Sequence, residues 1–452
     1  MTRSRVASIG ALLLLGWVQT TQAQTAPVRL TLDEAIARGL EASERLEELG
    51  SRQDAARAVE SQREAAGRPQ ITGIASYTRT NHIEEFSVPT ALGTPRVIYP
   101  DIPNNIRTRI DLQWPIYTAG RISALTRAAA AEVEAAGHDR DAARADLKLE
   151  ITRSFWAVIT SRASSDVVSQ ALDRTSAHLN DVRNQLSVGL VPPSDVLTIE
   201  AQHAHQRMLS FEAGNIVETA SAEFRRLAGL DPDAPFELVA DLSRPGPAFQ
   251  DPAASRVASA PAIAGSVETA RANRPERKSL LFRLDAATER VTAASAGALP
   301  VLTALGGYDV ARPNPRIFPL QEAWKPSWDL GVHLRWSLFD GGRVRAETAE
   351  AVAARRGAEA RLRDFDEVVQ VEVRQRMADL NSARASIDAA EAGVRAATEA
   401  RRVLAERFTA GVATNTDVLN AQVSLLQAEL DLTRALASTQ LAAARLDRAM
   451  GR

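Results

Sequence analysis

Metal chemistry would start from His203 and His205, but two residues apart on a helix they point in different directions and make a poor ligand pair, as expected of surface residues. Paired carboxylates for acid–base work would be Asp33-Glu34 and Glu84-Glu85. A helix start explains the first pair and a solvated loop the second. Cysteine is absent, which removes thiolate ligands, disulfides and thiol nucleophiles together. The sequence holds no phosphate-binding glycine loop and no nucleophile–base constellation. No catalytic group, metal or cofactor is therefore expected, and the chain does not read as an enzyme. The polar residues that remain are of another kind. Arg107, Arg109, Asp111, Asp329 and Arg335 alternate with apolar neighbours, the pattern of a strand with one wet face.

Two such strands are clear. From Ile106 to Ile116 the even positions are Ile, Thr, Ile, Leu, Trp and Ile, and from Trp328 to Leu338 they are Trp, Leu, Val, Leu, Trp and Leu. Weaker partners run through Ile71, Gly73, Ala75 and Tyr77, and through Leu302, Ala304, Gly306 and Tyr308. The expectation is four strands in two hairpins (about 70–117 and 300–339), with loops around Pro89 to Pro103 and Pro313 to Pro326.

Long Ala-rich, charged segments must carry these strands. Gly120 to Val188 contains no proline, with Val158, Leu172, Leu179 and Leu186 on one heptad track and Val168 and Val182 on a second. Leu380, Ile387, Val394 and Phe408 repeat the seam between Gly342 and Ala410. Each such run of 69 residues would make a helix of roughly 100 Å. Shorter helical stretches flank them: Thr31 to Gly67, Ser194 to Ala228, Ser266 to Gly297 and Asn415 to Met450. Two short helices placed end to end would match one long helix, which predicts a rod.

The chain also matches itself. An offset of 222 sets Ile106–Gly229 on Trp328–Gly451 without a gap, and an offset of 231 sets Pro69 on Pro300 and Tyr77 on Tyr308. Two equivalent halves are expected, 24–229 and 265–452, joined by a Pro-, Asp- and Ser-rich segment at 230–264. That segment reads either as a connector on the outside of the rod, with a short strand at Phe236 to Val239, or as a loose linker. Ahead of them, Arg3 and Arg5, the apolar run Val6–Val18 and Thr21-Gln22-Ala23 have the layout of a signal peptide (1–23) cleaved after Ala23. Without a cysteine after it, lipidation of the new N-terminus is not expected. The formal net charge of −2 implies no broad attraction to nucleic acid.

For an exported chain, these strands suit an outer membrane. Their polar face is charged enough to be a wet interior. Their apolar face carries Tyr77, Trp114, Tyr308, Trp328 and Trp336, an aromatic belt of the kind found at lipid interfaces. Four strands cannot close, and an open edge in hydrocarbon leaves backbone groups unpaired at several kcal/mol each. Three copies would supply twelve strands, within the range of bacterial barrels and wide enough for a water-filled lumen.

Across its mature length the chain resembles the TolC-like outer membrane efflux protein family. The resemblance rests on Leu30-Thr-Leu-Asp-Glu-Ala-Ile36, Asn273-Arg-Pro-Glu276, Tyr117-Thr-Ala-Gly-Arg121 with Phe339-Asp-Gly-Gly-Arg343, and Val188-Gly-Leu-Val191 with Asp195-Val196. It implies an all-α coiled-coil barrel continuous with a twelve-stranded transmembrane β-barrel, both built by a homotrimer in the outer membrane and reaching into the periplasm. The function implied is passive export of drugs, metals or proteins. The chain would work with a periplasmic adaptor and an inner-membrane pump of the RND, ABC or MFS type. The turns Ser187–Asp195 and Thr409–Asp417 would be the periplasmic entrance and meet the adaptor. There Gly189 and Gly411 suit left-handed helix ends, while Ser194 or Asp195 and Thr416 or Asp417 suit the next helix start. By motif match Phe408 takes an aromatic gate position and Asp417 the first acidic ring. Asn420 stands where the second acidic ring would be, and Ala413 replaces a gating arginine, so packing and hydrogen bonds are expected to hold this gate. Capping alone also explains the aspartates. The rival readings are a periplasmic adaptor, whose Gly-rich lipoyl-like and barrel strands are missing, and a soluble structural coiled coil, which leaves the aromatic-edged strands unexplained.

Overall fold

A computed structural model describes residues 27–90, 93–240 and 260–452. The expected signal peptide and the middle of the connector lie outside the described residues. Thr31 opens helix α1 (Leu32–Glu41) through a capping box with Glu34, which gives the Asp33-Glu34 pair its role. The chain breaks at Ala42, and Ser43 caps α2 (Glu44–Ala65), so 31–67 is two helices rather than the one expected. After the first strands come α3 (Arg121–Ser187, 67 residues) and α4 (Pro193–Leu227, 35 residues). Beyond the connector are α5 (Ala260–Asn273) and α6 (Pro275–Ser295), where a single helix from Ser266 was expected. The last two are α7 (Arg343–Thr409, 67 residues) and α8 (Asn415–Ala449, 35 residues).

The two unexpected breaks have one physical cause. α4 ends on Gly229 at φ 62°, and a Cβ there would lie 2.3 Å from the Cβ of Ala42. α8 ends on Gly451 at φ 74°, and a Cβ there would lie 2.9 Å from the backbone N of Arg274. Each α4-type helix thus butts against a gap between two others, and a continuous helix would leave no room for it. At the second gap the buried Arg274 donates to the Ala449 carbonyl at 2.7 Å and pairs with Glu372. Pro275, at the first helical position, lacks the N–H that would continue α5. The main core lies at the first gap, where Leu46, Ile151, Phe155, Phe224 and Phe236 are buried together. Here a strand absent from the sequence reading, β1 (Val28–Leu30), pairs in parallel with β6 (Phe236–Leu238).

The main sheet has the order β2-β5-β7-β8, comprising Gln70–Arg79, Asn104–Tyr117, Val301–Arg312 and Lys325–Arg335. All its pairings are antiparallel. A small hairpin, β3 (Phe86–Val88) with β4 (Arg96–Tyr99), adds two strands inside the loop between β2 and β5, where none was expected.

The helices line up side by side in a matching order. α3 packs on α2 and α4 along one flank and on α6 and α8 along the other, and α7 packs on the far side of α6 and α8. The wall therefore runs α2/α4, α3, α6/α8, α7, and each strand continues the helix position next to it in sequence. Val158, Val168, Leu179 and Val182 of the first seam are buried and Leu172 and Leu186 half covered, whereas in the second Leu380 alone is buried and Ile387, Val394 and Phe408 are half covered. The difference follows from position: α3 has neighbours on both sides, while α7 is the end of the wall.

Candidate functional site

The register decides which charges meet. Arg107, Arg109 and Asp111 face Ala311, Asp309 and Gly307 across β5–β7, and Gly307 faces Asp329 across β7–β8. One guanidinium organises the group. Arg109 donates to Asp111 at 2.6 Å and to both oxygens of Asp329 at 3.0 and 3.1 Å, and it lies 3.7 Å from Asp309. Arg107 donates to Asp309 at 2.7 Å. Two members were not foreseen. Asp309 was readable, since it falls on the same alternate face as Asp329, whereas Arg316 comes from the β7–β8 loop to lie 3.1 Å from Asp329. Arg335 lies on the same polar face, paired with Val301 at the helix end of the sheet, six residues along β8 from Asp329. Three arginines and three aspartates leave this network neutral, so it offers no strong preference for either ion sign.

The apolar face is exposed, with Leu330, Leu334 and Val332 open to the surroundings alongside the aromatic residues. Trp114 and Trp336 lie at the helix end, and the indole of Trp336 donates to the Ala298 carbonyl at 3.1 Å. Tyr77, opposite Ile106, lies at the loop end. Tyr308 and Trp328 pair directly with each other, several residues short of the loop end, so they are not the strand-end residues the sequence suggested.

At the opposite end of the rod, both glycines take the left-handed conformation, Gly189 at φ 77° and Gly411 at φ 74°. Leu190 N–H donates to the Gln185 carbonyl and Val412 N–H to the Arg407 carbonyl, the bonding that closes a helix end behind such a glycine. The expected helix starts need correcting. Pro192 and Pro193 begin α4 with no side-chain cap, and Asp195 serves only as a first-turn acid. Thr414 caps α8, with Asp417 as the third helical residue of a capping box. Phe408 is half-buried against Leu179, Val182, Val196, Ile199 and Leu419, its ring edge-on to His178 at 5.4 Å. His178 Nε2 is 2.9 Å from Asn415 Oδ1, and Asn415 donates to the Asp195 carbonyl at 3.3 Å, which joins the two tips. Asn420 is exposed. His203 bonds Ser176 at 3.0 Å while His205 is exposed, so the two histidines part company as their spacing dictates.

The Asp417 carboxylate accepts from the Thr414 hydroxyl at 2.7 Å and the Thr414 N–H at 2.9 Å, and these bonds hold its pKa below the usual carboxylate range. Because the folded pKa is depressed, this contribution to the helix start is present at neutral pH and is lost as pH falls through the folded value. Amide exchange at the start of α8, corrected for intrinsic rates, is therefore expected to quicken below about pH 4, and Asp417→Asn to flatten that dependence. In planar bilayers Asp417→Asn is expected to change conductance little. A large increase would show that charge repulsion or pairing at this carboxylate, rather than packing, governs the tip.

Comparison with known proteins adds the decisive observation. A family model described as "Outer membrane efflux protein" matches residues 35–230 and 266–452. The chain belongs to that family. Protein CyaE of Bordetella pertussis is 27% identical over 328 residues, covering 72% of this chain and 66% of that protein. Outer membrane protein TolC of Vibrio cholerae is 25% identical over 311 residues, 68% of this chain and 67% of that one. The chain thus spans about two thirds of the length of these relatives. Among solved structures, the outer membrane protein VceC of Vibrio cholerae superposes with a TM-score of 0.76 at 20% identity, covering 93% of this chain and 96% of that one. The likeness to VceC establishes the fold. No helix among the described residues is long and apolar enough to cross a membrane.

Proposed function

We infer that the chain is one of three identical subunits of an outer-membrane exit duct. The matching order of strands and helices carries this reading. β2 and β8 are the open edges of the sheet, and α2/α4 and α7 are the open flanks of the wall on the same two sides. Those flanks are apolar where they should be covered, with Met208 and Phe211 exposed on α4 and Val368 and Val371 on α7. A neighbouring copy satisfies strand edge and helix flank at once, and three copies give a twelve-stranded barrel above a helical tunnel of about 100 Å. Each subunit then contributes two like halves. The polar face lines the lumen with Arg107, Arg109, Asp111, Asp329 and Arg335, and Tyr77, Trp114, Tyr308, Trp328 and Trp336 face lipid.

The tips that carry Gly189, Asp195, Phe408, Gly411, Asp417 and Asn420 form the periplasmic entrance and the contact for an adaptor protein. An inner-membrane transporter supplies substrate and energy. The duct itself performs no chemistry: its contribution is a wet path insulated from lipid. Nitroxides at Leu112 and Leu334 in the membrane-inserted trimer test the reading. Collisions with oxygen but not with a water-soluble relaxer are the expected result. Contact with water at either site overturns the barrel, and a monomer in detergent overturns the trimer.

A further inference from the structure

The β7–β8 connection does not extend away from the sheet. It folds back over the polar face. Asp309 and Ala311, on the face that a single four-stranded sheet would leave open, are each 1% exposed, and Asn314 in the connection is 2% exposed. Polar-face positions Ser76 and Thr78 on β2, across a cleft from the connection, are exposed. Three sets of bonds hold the segment down. Asn314 donates to the Lys325 carbonyl at 2.8 Å and to the Ser327 hydroxyl at 3.0 Å, fixing the turn onto β8. Arg316 donates to the Trp328 carbonyl at 2.9 Å and pairs with Asp329 at 3.1 Å. Arg312 pairs with Glu322 at 2.7 Å across the two ends of the connection. Asp329 is also the main partner of Arg109, so the connection is tied to the charge network of the sheet itself.

Between this segment and the β2–β5 loop lies a cleft of about 650 Å³, lined on the sheet side by Thr78, Asn105 and Arg107 and on the loop side by Pro315, Ile317 and Phe318. The apolar loop residues thus project over a charged wall at the end of the sheet farthest from the helices.

We propose that this segment is a second constriction of the duct, at its outer mouth, and that the Arg316–Asp329 pair is the latch holding it across the lumen. The inference rests on the exit-duct reading, which puts the polar face inside and the hairpin loops outside. Under it the outer opening is narrowed by residues 313–324 of each subunit, independently of the periplasmic tips. Release requires Arg316 to leave Asp329, which keeps its bonds to Arg109. Arg316 and Phe318 then decide the largest solute that leaves, or that enters from outside.

Because the chain lacks cysteine, single cysteines report accessibility cleanly. Ala311→Cys, beneath the segment, and Asn105→Cys, in the cleft, serve as reporters in the full-length protein, with Phe318→Cys marking the loop. Intact cells receive a membrane-impermeant maleimide. Phe318→Cys should label rapidly and Ala311→Cys slowly, and adding Arg316→Glu should speed labelling of Ala311→Cys and Asn105→Cys by about tenfold, as loss of a charge-assisted bond predicts. Rapid labelling of Ala311→Cys with Arg316 intact overturns the constriction. Slow labelling that Arg316→Glu leaves unchanged overturns the latch. If Phe318→Cys itself stays unlabelled from outside, the outer-membrane reading fails rather than the constriction alone. Asn105→Cys keeps the test decisive should Ala311→Cys disturb the fold.

Discussion

Leu330→Arg is expected to cost about 2–4 kcal/mol of folding stability in a bilayer, and Gly331→Arg, one residue along, almost none. Leu330 is 74% exposed on the apolar face and sits opposite Gly306, between the levels of Trp336 and Trp328. A guanidinium there would enter hydrocarbon. Gly331 is on the other face, and a Cβ added to it meets nothing within 4 Å, so a long polar side chain has room in the lumen. Urea titration of trimers refolded into lipid vesicles measures the difference. Equal costs would mean that the two faces see the same solvent, and the barrel reading would not survive that.

The second large effect belongs to the rod. Gly229→Ala is expected to destabilise the helical part by about 2–5 kcal/mol, combining the penalty for a Cβ in the left-handed region with overpacking. The new methyl would sit 2.3 Å from Ala42 Cβ at the central junction. Thermal unfolding followed by helical circular dichroism reports it. Adding Ala42→Gly should restore the overpacking share and leave the backbone share. A double variant no better than Gly229→Ala would show that the contact with Ala42 is not what fixes the junction.

Much of this architecture was legible, and the reasons are particular. The ends of α3 and α7 were visible because a proline-free seam is bounded by glycines that take positive φ at Gly120, Gly189, Gly342 and Gly411. The faces of β5 and β8 were visible because alternation has a period of two and needs no knowledge of partners. What escaped depends on distant contacts. The break at Ala42 answers to Gly229, far along the chain, with Ser43 as its one local signal, and the matching break at Arg274 is marked locally by Pro275. The pairing of Val28–Leu30 with Phe236–Leu238 is too short to show periodicity. Which charges meet Arg109 escaped too, since height along a strand requires the register across β5, β7 and β8. Asp417 was read both as an acidic ring and as a helix start; it lies at the start of α8, as the third helical residue of a capping box whose first member, Thr414, was not singled out.

The unpaired rims of the sheet bear on biogenesis. β2 and β8 each end the sheet with a row of backbone donors and acceptors that no other strand among the described residues satisfies. Water can solvate those rows, but acyl chains cannot, so an isolated subunit has no tolerable place in the bilayer. Under the trimeric-barrel reading, recruitment of partners must therefore come before insertion or accompany it. On that reading, a copy with a sound helical part and a defective rim would still be taken up by healthy copies and would spoil the ring it joins, so rim lesions are expected to behave as dominant ones.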